Sequence, residues 1–211
     1  MGRSSLGVAC PGARSRLALL LRAILLAILS WAATAEAHVE GGEAGGFLAG
    51  LAHPVSGLDH VLAMVAVGLW GAQLGVPALW VLPVTFPMVM ALGGMAGLLG
   101  LPLPGVEIGV AASGVLLGLA VMSELRPPLG AAIALVAAFG VFHGHAHGTE
   151  LPSGESALFY SIGFVAATGC LHGVGIAIGL IHARPWGRKV LRAAGAVVAI
   201  GGLFFLWRAV A

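Results

Sequence analysis

The pattern of apolar and polar positions divides the chain into six long apolar stretches, separated by short segments that carry most of the prolines and charges. Each stretch approaches the ~20 residues that an α-helix needs to cross the hydrocarbon core of a membrane. The predicted membrane helices lie near residues 57–75, 79–100, 106–123, 128–146, 157–181 and 189–207. We therefore predict an all-α, polytopic membrane protein with six transmembrane helices.

The first of these helices is predicted to be broken near His53-Pro54. A short apolar piece, Gly46 to Ala52, precedes it and is separated from it by this dipeptide. Proline lacks a backbone N–H and disfavours helical backbone at the residue before it. Non-helical backbone is tolerated within a membrane only where it faces protein or water. The break therefore marks a place where polar chemistry is expected.

Composition supports a lipid environment, because 59% of the residues are hydrophobic and only 9% are charged. A soluble domain carries about a quarter charged residues. The lipid bilayer is therefore an expected partner of this chain.

The N-terminal residues 1–37 have the layout of a secretory signal peptide. Basic residues at Arg3, Arg14 and Arg16 precede an apolar run, and Ala35-Glu36-Ala37 resembles a cleavage site. An uncleaved first span is the alternative, but Arg22 and the shortness of the run argue against it. The predicted mature domain is residues 38–211, a six-helix transmembrane domain.

Charge gives the orientation of the predicted bundle. Removing residues 1–37 leaves six basic and seven acidic residues, so nothing supports a nucleic-acid partner. One set of alternate loops carries most of the remaining cations: Arg126, Arg184, Arg188, Lys189 and Arg192. The other set carries acids, with Arg208 as the exception: Glu40, Glu43, Glu107, Glu150 and Glu155. The positive-inside rule then predicts that both mature ends face the periplasm or exterior.

The stretch "VFHGHAHGTE", residues 141–150, places metal-ligand side chains at the end of the fourth predicted span. On a helix His143 and His147 share one face, with Glu150 one turn further, whereas His145 points elsewhere. Imidazole and carboxylate together suit a borderline divalent ion such as nickel, cobalt or zinc. A solvated loop is the alternative interpretation of this segment.

A second group of polar residues lies around the break and along the fifth span. His53, Asp59 and His60 flank the break, His172 lies within the span, and His38 would be the first mature residue. In a membrane helix an ionisable side chain indicates function. Two simpler roles stay open: Asp59 as a helix cap in the S-x-x-D pattern beginning at Ser56, and His172 as a hydrogen-bonded core residue.

Glycines one helical turn apart allow helix backbones to approach closely in lipid. The sequence has G-x-x-x-G spacings at Gly93/Gly97, Gly114/Gly118, Gly169/Gly173 and Gly175/Gly179. They favour packing within one bundle, and a homo-oligomer seam is the alternative.

Three segments carry a specific resemblance: "HPVSGLDHVLAMVAVGLW" (53–70), "FHGHAHGTE" (142–150) and "GFVAATGCLHGVGIAIG" (163–179). Together they resemble the HupE/UreJ family of nickel/cobalt permeases. The resemblance implies uptake of nickel, sometimes cobalt, that serves the maturation of hydrogenase or urease. It also implies a set of metal-handling positions: His53, Asp59, His60, His143, His147, Glu150 and His172.

The predicted function is therefore a secondary transporter of Ni²⁺, or of Co²⁺, with no prosthetic group. The sequence has no G-x-x-x-x-G-K-[ST] phosphate loop, so this polypeptide is not expected to hydrolyse ATP. It also lacks H-E-x-x-H, and we do not expect an enzyme. The alternatives are an intramembrane metalloenzyme and a b-type haem electron carrier with histidine ligands.

Overall fold

The computed structural model describes residues 43–150 and 156–211, which form seven α-helices and one 3-10 turn, Leu180–Ala183. The helices are α1 Glu43–Ser56, α2 Leu58–Leu74, α3 Ala78–Leu98, α4 Val106–Met122, α5 Leu129–Thr149, α6 Ala157–Gly179 and α7 Gly187–Val210. The six predicted stretches coincide with α2 to α7 within three residues at each end. The all-α prediction is confirmed for this part of the chain. The predicted signal peptide and His38 lie outside the described residues.

The predicted break is present, but it lies at Gly57 rather than at His53-Pro54. Helices α1 and α2 meet at an angle of 83°. Pro54 lies inside the last turn of α1, where the helix continues to Ser56. The Ser56 hydroxyl donates to the His53 carbonyl at 2.6 Å and so supports this last turn. Proline therefore weakens the end of α1 without ending it.

Gly57 ends the first helix and begins the second. Its backbone is extended, and its carbonyl accepts the first hydrogen bond of α2, from the Val61 N–H at 3.0 Å. A Cβ added here would lie 2.8 Å from Asp59 Oδ1 and 3.0 Å from His60 Nδ1. An added Cβ would displace these two side-chain ends, so glycine leaves the Asp59–His60 pair undisturbed.

Within the described residues, four helices are long and apolar enough to cross a membrane: α3, α5, α6 with its following turn, and α7. The bent pair of α1 and α2 is a fifth candidate. Helix α4 has 17 residues, at the lower end of the ~17–25 that span a bilayer. The chain is therefore a multi-pass helical membrane protein, and the number of six spans stays a prediction.

Many glycines lie where the backbones of neighbouring helices are in contact, here called seams. The most extensive contacts join α3 to α5, α4 to α7, and α1 and α2 to α6. A Cβ at Gly144 would collide with the Met90 carbonyl, and a Cβ at Gly118 would collide with the Ala199 backbone N. Three of the four G-x-x-x-G spacings lie in such seams, whereas Gly169 and Gly173 have no atom within 4 Å of an added Cβ. Close packing inside the bundle thus accounts for most of the glycine pattern.

The end of the bundle opposite the α5 histidines carries an exposed ion pair. Arg188 donates to both carboxylate oxygens of Glu124, with the shortest distance 2.6 Å. The hydrogen-bonded Arg188 guanidinium lowers the pKa of the Glu124 carboxyl below its ordinary value. The pair joins the loop after α4 to the first turn of α7, but because it is exposed it contributes little to stability.

The seam interpretation predicts different effects for two matched glycine substitutions. Gly118→Ala should lower the midpoint of thermal unfolding in detergent, because its methyl group meets backbone atoms of α7 and overpacking costs about 1–3 kcal/mol. Gly169→Ala is the control and should leave the midpoint unchanged or slightly raised, since nothing lies within 4 Å. Equal midpoints for both variants would contradict close packing at this seam.

Candidate metal centre

Three helix ends bring the predicted ligand side chains together. His53 lies in the last turn of α1, His60 in the first turn of α2, and His147 near the C-terminal end of α5. The His147 ring centroid lies 4.8 Å from that of His53 and 4.4 Å from that of His60. The sharp bend at Gly57 allows His53 of α1 and His60 of α2 to reach the same residue of α5, His147.

The first cluster, here the buried triad, consists of His60, His143 and His147. One nitrogen from each ring lies within 4.8 Å of the others. Two nitrogens that share one ion are at most about 4.2 Å apart, twice the ~2.1 Å metal–nitrogen distance. The three rings are therefore near enough to share one ion after a small inward movement. His143 is fully buried, and His147 nearly so, which makes this a site inside the protein.

The second cluster, here the mouth triad, consists of His53, His147 and Glu150. Glu150 Oε2 lies 3.1 Å from His53 Nε2 and 3.9 Å from His147 Nδ1. The Glu150 side chain is 57% exposed, so this triad reaches the protein surface. His147 belongs to both triads, and the two candidate sites are therefore adjacent and joined through one ring.

Asp59 fixes the orientation of the His60 ring within the buried triad. Its Oδ1 accepts from the His60 backbone N–H at 2.9 Å and lies 2.8 Å from His60 Nδ1. An ionised carboxylate only accepts, so Nδ1 carries the proton and Nε2 keeps a free lone pair. Ser56 donates to His53 instead of capping α2, so the S-x-x-D pattern forms no capping box. Asp59 thus combines a first-turn hydrogen bond with an orienting role.

His172 is buried in α6, and like His60 it donates from Nδ1 and keeps Nε2 free. Its Nδ1 donates to the Pro83 carbonyl of α3 at 3.1 Å. That carbonyl is available because Pro87, one turn later, has no N–H to offer it. His172 Nε2 is then unprotonated, and it has no partner among the described residues. The Phe86 ring packs against both the His143 ring and the His172 ring, at centroid distances of 5.3 and 5.5 Å, and so links the buried triad to His172.

His145 does not join either triad. Although it is buried on the same helix, its Nε2 donates to the Leu101 carbonyl at 2.6 Å and so holds the loop between α3 and α4. The segment is helical through Thr149, which excludes the loop interpretation and puts His143 and His147 on one face.

A cavity of about 290 Å³ opens beside the two triads. Its charged and polar lining comprises Asp59, His60, Glu107, Glu150 and Arg208. Glu107 was not among the predicted ligands. Its position in the first turn of α4, on the acidic side of the predicted bundle, was the available signal. Three carboxylates against one guanidinium leave the lining of this cavity net negative, which attracts cations from solution.

Fold and site define a helical membrane protein with adjoining histidine–carboxylate clusters of metal-ligand type. The family described as HupE / UreJ protein matches residues 26–205. Protein HupE of Rhizobium leguminosarum bv. viciae is 46% identical over 181 residues, which cover 86% of this chain and 94% of that protein. The chain belongs to the HupE/UreJ family, and the predicted resemblance is confirmed. No solved structure matches it significantly.

The shared position of His147 predicts a ranking of ligand substitutions. His147→Ala removes a ligand from both triads and His143→Ala from one, so nickel affinity of the purified protein should fall most in the first. Each loss should exceed the ~10-fold typical of an outer partner. His145→Gln is the control, because glutamine keeps an N–H donor for the Leu101 carbonyl and the affinity should be unchanged. Titration calorimetry gives the affinities, and an equal loss in all three would contradict the assignment.

Proposed function

We propose that this chain is a secondary transporter that takes up Ni²⁺, with Co²⁺ as a second cargo, across the inner membrane of a bacterium. The observation that carries the proposal is the pair of ligand triads that share His147, one at the surface and one inside the bundle. A resident structural or catalytic metal needs only one such site. Two adjoining sites of increasing burial suit an ion that enters, exchanges ligands and moves on.

The proposed path begins at the acidic cavity, which collects the hydrated ion near Glu107 and Glu150. The mouth triad then replaces part of the hydration shell, and His147 carries the ion over to the buried triad. His172, beyond Phe86, offers the next free nitrogen. At every step an imidazole or carboxylate replaces a lost water, which limits the cost of desolvating a divalent ion in the membrane.

The ligand chemistry supports nickel or cobalt as the cargo. The triads contain only imidazole and carboxylate, and the one cysteine after residue 37, Cys170, is exposed and belongs to neither cluster. Such a set suits borderline divalent ions and disfavours copper(I), which prefers soft sulfur ligands. Zinc would bind as well on this ground alone. The membership in the HupE/UreJ family supports nickel or cobalt over zinc, and supply of hydrogenase or urease maturation as the purpose.

The membrane potential is a sufficient driving force. A negative interior favours inward movement of a divalent cation by about 4.6 kcal/mol per 100 mV. Trapping of the metal in the cytoplasm would add to this. We therefore propose no ATP hydrolysis and no enzymatic activity for this polypeptide.

The proposed topology has six spans, with the bent α1–α2 pair as the first and α4 as a short third. The acidic cavity faces the periplasm, and the basic loops between α4 and α5 and between α6 and α7 face the cytoplasm. Both ends of a mature domain of residues 38–211 then lie in the periplasm. His38, at the start of that domain, is proposed as an additional ligand near the mouth.

The direct test is uptake of radioactive nickel by cells that express the protein, with cobalt, zinc and magnesium as competitors. Uptake should exceed that of vector controls and be suppressed by cobalt more than by magnesium. Absence of uptake at verified expression would overturn the proposal. A haem Soret band in the purified protein would favour the electron-carrier alternative.

Substitutions of Asp59 test the proposed role of its carboxylate in this uptake assay. Asn keeps an acceptor for the His60 N–H but loses the charge that holds the His60 proton on Nδ1. Uptake by Asp59→Asn should therefore fall at least about 10-fold, the usual size of an outer-partner effect. Asp59→Glu should be partly active at best, because its extra methylene displaces the carboxylate.

Glu124→Gln is the matched control for Asp59→Asn. It removes one carboxylate at the opposite end of the bundle, where Arg188 is the partner, and should leave uptake near normal at equal protein level. Near-normal uptake by Asp59→Asn would show that Asp59 serves only the helix end.

A further inference from the structure

Ser113 of α4 lies beside the buried triad and is itself completely buried. Its hydroxyl donates to the Val110 carbonyl at 2.6 Å, and the same oxygen lies 2.8 Å from His143 Nε2. No sequence motif pointed to this serine. The contact joins α4 to α5 at the most buried member of the triad.

A hydroxyl has one hydrogen, and this decides which nitrogen of His143 is protonated. Because Ser113 gives its hydrogen to the Val110 carbonyl, which only accepts, its oxygen has only lone pairs left for His143. The His143 Nε2 must then carry the ring hydrogen and donate it to Ser113 Oγ. The other nitrogen, Nδ1, keeps the free lone pair, and it has no partner among the described residues.

We propose that Ser113 is a positioning residue for the buried metal site, holding His143 in the Nε2–H form so that Nδ1 binds the ion with His60 and His147. The inference rests on the proposed function, which it deepens. Ser113 does for His143 what Asp59 does for His60 and the Pro83 carbonyl does for His172. In each case an acceptor takes the proton of one ring nitrogen and leaves the other free for metal.

Substitution of Ser113 separates this role from simple packing. Ser113→Ala removes one oxygen atom and adds no volume, so the fold should persist, but the His143 Nε2–H loses its buried acceptor. The ring can then change tautomer or turn. Ser123→Ala is the control, because the Ser123 hydroxyl also donates to a carbonyl of α4, that of Leu119 at 2.7 Å, but contacts no histidine.

The experiment combines two measurements on the full chain in detergent. Nitrogen NMR of the metal-free protein gives the tautomer of each histidine, and the His143 signals are identified by their loss in His143→Gln. Calorimetry with Ni²⁺ gives the affinity. Wild type should show a protonated Nε2 and a bare Nδ1 at His143. Ser113→Ala should show a mixed or reversed tautomer of His143 and at least about 10-fold weaker nickel binding. Ser123→Ala should show neither change.

The inference fails if the wild-type His143 is protonated on Nδ1, or if Ser113→Ala leaves both the tautomer and the affinity unchanged. Weaker binding with an unchanged tautomer would also contradict it, since the serine would then act through packing. A wild-type protein that binds no nickel would overturn the proposed function instead. The NMR measurement would still decide the Ser113–His143 bond in that case, so the two failures are distinguishable.

Discussion

A neutral, buried imidazole carries a proton on only one of its two nitrogens, so a hydrogen bond donated by one nitrogen leaves the other with a free lone pair. In this bundle His60, His143 and His172 each direct one nitrogen at an acceptor from another residue: a carboxylate, a serine oxygen and a backbone carbonyl. The second nitrogen of each is left without a partner among the described residues. Unsatisfied polar atoms are costly in lipid. His145 Nδ1 is also unpartnered among the described residues, so the free nitrogens favour a metal site only where they belong to a ligand cluster, as at His60 and His143.

The rest of the fold supplies the conditions for this arrangement. The bend at Gly57 brings ligands from α1 and α2 to a single helix, α5. The glycine seam between α3 and α5 then allows the backbones to approach, so that Phe86 reaches the ring of His143. Pro87 frees the carbonyl that His172 uses. Glycine and proline, which weaken an isolated helix, thus provide the free backbone groups and the space around the proposed metal ligands.

Much of the fold could be predicted from the sequence, because a membrane helix carries a strong periodic signal over about 20 residues. The helical face shared by His143 and His147 followed from their spacing, and the structure brings both to His60. The position of the break did not follow. Proline was expected to end α1, but one further turn forms, and the glycine after Ser56 provides the extended backbone.

The remaining site residues required the three-dimensional structure. Ser113 and Glu107 lie on α4, far along the chain from the histidines, and only helix packing places them beside His143 and the acidic cavity. Single polar residues of this kind have no motif. The division of the candidate ligands into two triads that share His147 could not be predicted either, because it depends on the angle between α1 and α2 rather than on the spacing of residues along the sequence.

The central claim is that imidazoles of this bundle bind the transported ion directly, and X-ray absorption at the nickel edge tests it most directly. The nickel-loaded protein should give a shell of nitrogen and oxygen ligands with the outer-carbon scattering of about three imidazoles, and His147→Ala should reduce that number. A shell that contains sulfur, or one of oxygen alone without imidazole scattering, would contradict the account.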